Sequence, residues 1–334
     1  MITRNRFRDG PNSEAMPRNL PKALVWLMLM IRMIVNYVDL VRITIPYSPD
    51  FRIRSPSMAE LSAMLKQVGI PGHRYDLYPG KFEKDESRFS WITKDGRLCY
   101  IDMYCAIVIL QPTAWELREL HKILGKFEHG ISRVEVAQDF LFEKQSLADE
   151  FKAVYMSHLA LPYASRKRSG TIDAMDYFGN EPTEGVKRPR NQGAVYADKP
   201  ARLIPPEHPE LIYCCHQEHK WNGASVVKSH GVYSLEDLAN FNPPPFLEER
   251  FQLFDITRDT IPDHIRKNRP HQYAAFMVRH EALVGTEIVG GRIVKLQNYL
   301  HEVGLIMKAL GIPKSALQYI KRRHRIDVHF LYTE

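Results

Sequence analysis

The stretch RVEVAQDF, residues 133–140, alternates polar and apolar residues, as a strand with two different faces does. Residues two apart share a face, so Arg133, Glu135 and Asp139 point one way while Val134, Val136 and Phe140 point the other. Two carboxylates on one face can hold a hard divalent cation, since Mg²⁺ and Mn²⁺ prefer oxygen ligands. The same alternation also describes the solvated side of a half-buried antiparallel sheet. A second stretch, CCHQEHKWNG at 214–223, puts His216, Glu218 and Lys220 on one face. Glu218 would complete a carboxylate cluster if the two strands lay side by side. Taking Cys214, Cys215, His216 and His219 as zinc ligands is weaker, because adjacent cysteines on a strand face opposite ways.

A third stretch, GAVYADK at 193–199, puts Tyr196 and Asp198 on one face with Lys199 beside them. A tyrosine hydroxyl is a poor nucleophile at its ordinary pKa of about 10. A nearby cation or metal lowers that pKa or stabilises the phenolate as it attacks. An exposed strand tyrosine with no chemical role would look the same. Two basic loops frame this strand: SRKRSG with Arg166, Lys167 and Arg168, and VKRPR with Lys187, Arg188 and Arg190. Each is a candidate contact for a phosphate backbone. KRRHR at 321–325 is a third basic cluster, on an expected helix.

The elements that must position these residues read as α+β. Strands are expected at 37–46, either side of KDGR (SRFSWIT and LCYIDMYCAIVIL), and at 131–142, 172–179, 193–199 and 211–221. Helices are expected at 55–70, 113–127 and 146–159 from their Ser or Thr starts and apolar stripes. The expected layout is an N-terminal extension over 1–36, an α+β domain of antiparallel sheets with helices over 37–241, and a mostly helical region over 242–334. NPPPF at 242–246 reads as a linker, followed by helices at 271–285, 288–307 and 313–323. Two strand-rich halves, each with helices, hint at an internal duplication.

With 334 residues, 44% hydrophobic and 25% charged, the composition is that of a globular protein. Lys and Arg exceed Asp and Glu to give a net charge of +7, which favours a polyanionic partner without specifying one. Four cysteines without framework spacing fit a reducing cytosol. The apolar block at 23–35 is broken by Arg32 and short for a membrane span, so a cytoplasmic protein with no membrane partner is expected. A start at Met30 or Met33 would leave the preceding residues as an extension.

Taken in order, these segments resemble the replication initiation factor family of phages and rolling-circle plasmids, over roughly residues 37–240. RVEVAQD fits an Arg-x-Asp-x-x-x-Asp pattern, with Glu135 in place of the first Asp. DAMDYFGN fits a Thr-x-Tyr-x-Gly-like strand, its Thr displaced to Thr171. AVYADKP fits a Tyr-x-Asp-Lys strand. HQEHKWNGASVVKSHGVYSLEDL fits an Arg/His-x-Glu strand, a small-residue turn and a helix. The tandem His-hydrophobic-His motif of relaxase-type initiators is absent, since HQEH has the wrong spacing, so a carboxylate metal site fits better.

The resemblance implies a rolling-circle initiator that nicks and rejoins one origin strand through a phosphotyrosine intermediate. Tyr196 would be the nucleophile, with Tyr177 in its own motif as the alternative. Lys199 would meet phosphate, Arg133 would contact phosphate or orient the carboxylates, and Glu135, Asp139 and Glu218 would hold Mg²⁺ or Mn²⁺. The partner would be origin DNA, single-stranded or cruciform at the nick, with a host helicase as a further candidate. A non-enzymatic sequence-specific DNA-binding regulator is the alternative from another class.

Overall fold

The computed structural model describes residues 3–6, 25, 28–46, 56–81, 89–92, 98–101, 103–162, 170–172, 175–178 and 191–328. In chain order the strands begin with β1 (Thr3–Arg6), β2 (Met33–Pro46), β3 (Tyr75–Lys81), β4 (Phe89–Ile92), β5 (Leu98–Ile101) and β6 (Met103–Leu110). They continue with β7 (Gly130–Phe142), β8 (Leu159–Ala160), β9 (Gly170–Ile172), β10 (Met175–Phe178), β11 (Asn191–Tyr196) and β12 (Tyr213–Asn222). The helices among them are α1 (Met58–Gln67), α2 (Ala114–Leu124) and α3 (Gln145–His158). After β12 come α4 (Ala224–Ser229), α5 (Leu235–Ala239), α6 (Pro243–Arg250), β13 (Gln252–Leu253), α7 (Thr260–Asn268) and α8 (Pro270–His280). The hairpin β14 (Ile288–Val289) and β15 (Arg292–Ile293) precedes α9 (Leu296–Ala309) and α10 (Lys314–Arg323). The class is α+β, with antiparallel strand pairing and a helical C-terminal region.

The chain divides into two compact units. The first comprises Tyr37–Ala137 and Lys220–Pro243, together with Met1–Ile2. Its strand order is β3-β6-β2-β7. In it Leu40 pairs with Leu110 through to Pro46 with Tyr104, and Tyr75 pairs with Ile109 through to Lys81 with Met103. Val41, Ile43, Ile45, Ile107 and Ile109 are buried, as are Leu61, Leu65, Leu117 and Leu120 of the two helices. Both helices start on the residues that can start them. Ser57 accepts from the Glu60 amide and Thr113 from the Glu116 amide, and each Glu reaches back to its cap in a complete capping box.

The second unit comprises Thr3–Asn36, Gln138–His219 and Pro244–Glu334. Its strand order runs β7-β12-β11-β10-β9. Tyr177 pairs with Ala194 and Asp176 with Val195. Helix α3 covers one side, where Phe140 meets Phe151 at 4.7 Å and Tyr155 at 5.6 Å between ring centroids. Gln217 and Gln138 share that side, Gln217 accepting from the Tyr155 hydroxyl and donating to Gln138, each at 2.5 Å. A second core joins Phe254, Ile261, Ile265, Phe276, Leu296, Tyr299, Leu300 and Val303 from the C-terminal helices.

Three element expectations are corrected. NPPPF is the first turn of α6 rather than a linker, because proline fits where the amide has no intrahelical partner. LCYIDMYCAIVIL is two strands: β5 pairs with β4, while β6 pairs with β2 and β3. The helix expected from 288 starts at Leu296, because Gly290 and Gly291 at φ 57° and 76° turn residues 288–293 into a hairpin. The turn KDGR lies outside the described residues.

Candidate functional site

In the second unit, parity sorts β7, β12, β11 and β10 into two sides. Gln138, Phe140, Gln217 and Asp176 look toward the helices, Asp176 by pairing with Lys152 of α3. Asp139, His216, Glu218, Tyr196 and Tyr177 occupy the alternate positions. That arrangement brings Asp139 and Glu218 together through His216. The imidazole Nδ1 is 2.5 Å from Asp139 Oδ1, and Nε2 is 3.5 Å from Glu218 Oε2. All three are buried. Burial alone would lower the His216 pKa, but the charge and hydrogen bond of Asp139, reinforced by Glu218, raise it to about 10. The carboxylates meet opposite nitrogens of the ring, so His216 Nε2 and Glu218 are the pair whose donor chemistry fits one divalent cation, with Asp139 on the far side of the imidazole.

Tyr196 stacks on His216, ring centroids 4.5 Å apart at 28°. The tyrosine is 1% exposed, and its hydroxyl accepts from Arg202 Nη2 at 3.2 Å. The Lys199 ammonium lies 5.0 Å from the Tyr196 ring centroid and 3.5 Å from Met175 Sδ. Tyr177 is half-buried, and its hydroxyl donates to the same sulfur at 3.4 Å. Two donors, a phenol and an ammonium, thus meet at one thioether. Asp198 is exposed.

Glu135 and Arg133 belong to the first unit, where the Arg133 guanidinium donates to the Glu135 carboxylate and Lys220 Nζ lies 3.7 Å from it. The zinc reading of the cysteines finds no support in this geometry. Cys214 Sγ approaches Lys199 O at 3.6 Å, burial pushes both thiols strongly up, and His219 packs edge-on to Phe246. Arg166, Lys167, Arg168, Lys187, Arg188 and Arg190 lie outside the described residues. Sequence reasoning missed Arg202 and Met175. Neither is part of a polar cluster in the sequence, and the loop carrying Arg202 returns to Tyr196 only in three dimensions. No helix among the described residues is long and apolar enough to cross a membrane.

No protein-family model matches the chain, and no curated protein matches it. Among solved structures, the chain is similar to the rolling circle replication initiator protein from Geobacillus stearothermophilus, at 12% sequence identity and a TM-score of 0.34. The match covers 67% of this chain and 88% of that one. A likeness of that strength does not bear on the residues of the site.

Proposed function

We propose that the chain is a rolling-circle replication initiator, a metal-dependent enzyme that nicks and rejoins one DNA strand by phosphodiester transesterification through a tyrosine. The observation that carries this reading is a half-buried phenol, Tyr177, one thioether away from the Lys199 ammonium, on the sheet face that holds the buried Asp139–His216–Glu218 chain. The nucleophile is assigned to Tyr177 rather than Tyr196. An oxygen sealed from solvent and bound to a guanidinium cannot meet phosphorus without breaking its packing, and Tyr196 has both constraints. Tyr177 meets a thioether, a weak acceptor that releases its hydroxyl readily.

In the step proposed, the Tyr177 hydroxyl gives up its proton as its oxygen bonds to the scissile phosphorus, and the bond to the 3′ oxygen breaks. That oxygen takes a proton and leaves as a 3′-hydroxyl, with the 5′ phosphate held as a phosphotyrosine diester. Reversal by a 3′-hydroxyl rejoins the strand and restores the phenol. Lys199 meets the phosphate charge that builds up during attack. Tyr196 holds Lys199 and His216 in place by its two ring contacts. Glu218 is the carboxylate assigned to Mg²⁺ or Mn²⁺, and Asp139, a carboxylate of the same sequence pattern, contacts the neighbouring His216. Glu135 enters only as the third carboxylate of the sequence pattern, and Arg133 as its partner. The bound cation would polarise the scissile phosphate. The target is origin DNA unpaired at the nick, single-stranded or cruciform. A host helicase would follow the nick.

The test uses a 3′-labelled library of random single-stranded and hairpin oligonucleotides incubated with the full chain and Mn²⁺, then run on a denaturing gel. A labelled adduct should form, vanish in Tyr177→Phe and persist in Tyr196→Phe. The reverse pattern would return the attack to Tyr196. Binding without an adduct would make the chain a non-enzymatic DNA-binding regulator.

A further inference from the structure

We propose that His216 Nε2 is itself a ligand of the divalent cation, with Glu218 the adjacent ligand and Asp139 holding the imidazole from behind. The cation's presence rests on the reading above, but the assignment of its ligands comes from the side-chain geometry. His216 and Glu218 are each 1% exposed, so both lie away from bulk water. The 2.5 Å contact of Nδ1 with Asp139 fixes which imidazole nitrogen carries the proton when the ring is neutral. A cation bound there would displace the Nε2 proton that the flanking carboxylates otherwise keep on the ring; with Nδ1–H donated to Asp139, the Nε2 lone pair then points away from that carboxylate. Nε2 makes no hydrogen bond among the described residues and faces Glu218 Oε2 at 3.5 Å.

That gap is longer than a good nitrogen–oxygen hydrogen bond, which is about 2.7–3.2 Å. It suits two neighbouring ligands of one ion. Atoms each about 2.1 Å from a cation, at angles between octahedral and tetrahedral, lie roughly 3.0–3.4 Å apart. The ring has little freedom to turn away, because Tyr196 stacks on its plane and Arg202 pins the Tyr196 hydroxyl. A carboxylate behind a histidine that faces a metal is a common way to orient the ring and raise its basicity. The sequence reading kept to oxygen ligands because the two-histidine motif is absent. The structure supplies one nitrogen from a single histidine on β12.

The consequence is metal preference. A mixed nitrogen and oxygen set favours Mn²⁺, Co²⁺ or Zn²⁺ over Mg²⁺, which prefers oxygen and keeps its waters. Asp139 is then a positioning residue, acting through His216.

The experiment is pulsed electron paramagnetic resonance on the full chain loaded with Mn²⁺, read for coupling to imidazole nitrogen, with Mn²⁺ titration alongside. Wild type should show the nitrogen coupling. His216→Gln should lose it and bind Mn²⁺ more weakly. Asp139→Asn should keep the coupling but lose roughly 10- to 100-fold in affinity, as outer-shell partners do. Circular dichroism checks that both variants fold. If His216→Gln fails to fold, the Asp139→Asn result and the wild-type spectrum still decide. Bound Mn²⁺ without nitrogen coupling in wild type, or coupling unchanged in His216→Gln, would overturn the assignment. So would a chain that binds no Mn²⁺ at all. A covalent DNA adduct with no nitrogen coupling would leave the nicking reading standing and remove this one. Nitrogen coupling with no adduct from any oligonucleotide would do the opposite.

Discussion

Asp176 and Tyr177 are neighbours on β10 that face opposite ways, and the acid anchors the strand that presents the phenol. Lys152 Nζ lies 2.9 Å from one Asp176 oxygen and Lys295 Nζ 2.5 Å from the other. Burial alone would raise the Asp176 pKa, but the two ammonium groups outweigh it and hold it below the ordinary carboxylate value. A carboxyl whose folded pKa is depressed stabilises the fold fully above its unfolded value, here near 3.8. That contribution is lost as pH falls through the folded value. Asp176→Asn leaves two partly buried ammonium groups facing an amide, and loss of one partner of a buried pair costs about 3 kcal/mol or more. Urea midpoints of wild type and variant should therefore differ most near neutral pH and converge below pH 4. A gap that stays constant down to pH 2 would remove Asp176 from the acid limb.

At the scale of elements, β12 carries His216 and Glu218 and must stop cleanly at the turn into α4. Gly223 does this at φ 101°, while its amide donates to Ser132 O at 2.8 Å. No atom lies within 4 Å of where a Cβ would stand, so Gly223→Ala tests the backbone alone. It should cost about 1–2 kcal/mol, read as a lower urea midpoint with an unchanged slope. An unchanged midpoint would mean that the turn adapts. Thr113→Ala removes the cap of α2 and should cost about 1 kcal/mol on the same measurement. These features also mark how far the sequence could be read. Helix starts carry their chemistry locally, so α1 and α2 lie close to their expected positions. Strand parity is also local, which is why Asp139, His216 and Glu218 could be assigned to faces in advance. The register between strands is set at long range, so the insertion of His216 between the two carboxylates was not legible. Strand β3, YDLYPGK, carries proline and glycine and no alternation, and it forms because β6 offers a partner along its length. The burial of Tyr196 was hidden for the same reason: the residues that seal it come from β12 and the loop after β11.

At the scale of the whole molecule, the net charge of +7 favours a polyanionic partner, and part of it is concentrated in the two basic segments. The two basic loops adjoin the site in sequence, one before β9 and the other between β10 and β11. If they track a DNA backbone, replacing Arg188 and Arg190 together with Gln should weaken binding to every oligonucleotide alike. Each phosphate that is no longer neutralised should flatten the plot of log affinity against log salt by about 0.7–0.9. Sequence preference should survive, because phosphate contacts position a protein and base contacts specify its site. The unfolding midpoint should not move if the two side chains are solvated in the free protein, because solvated charges contribute little to stability. Adduct formation should fall at low DNA concentration and recover at saturating DNA, because Tyr177 and Lys199 are untouched and only occupancy is reduced. A salt slope unchanged in the double variant would make VKRPR a solvated loop and require another surface to hold the strand. A slope that flattens while saturating DNA fails to restore the adduct would put the loop's role in placing the scissile phosphate rather than in affinity.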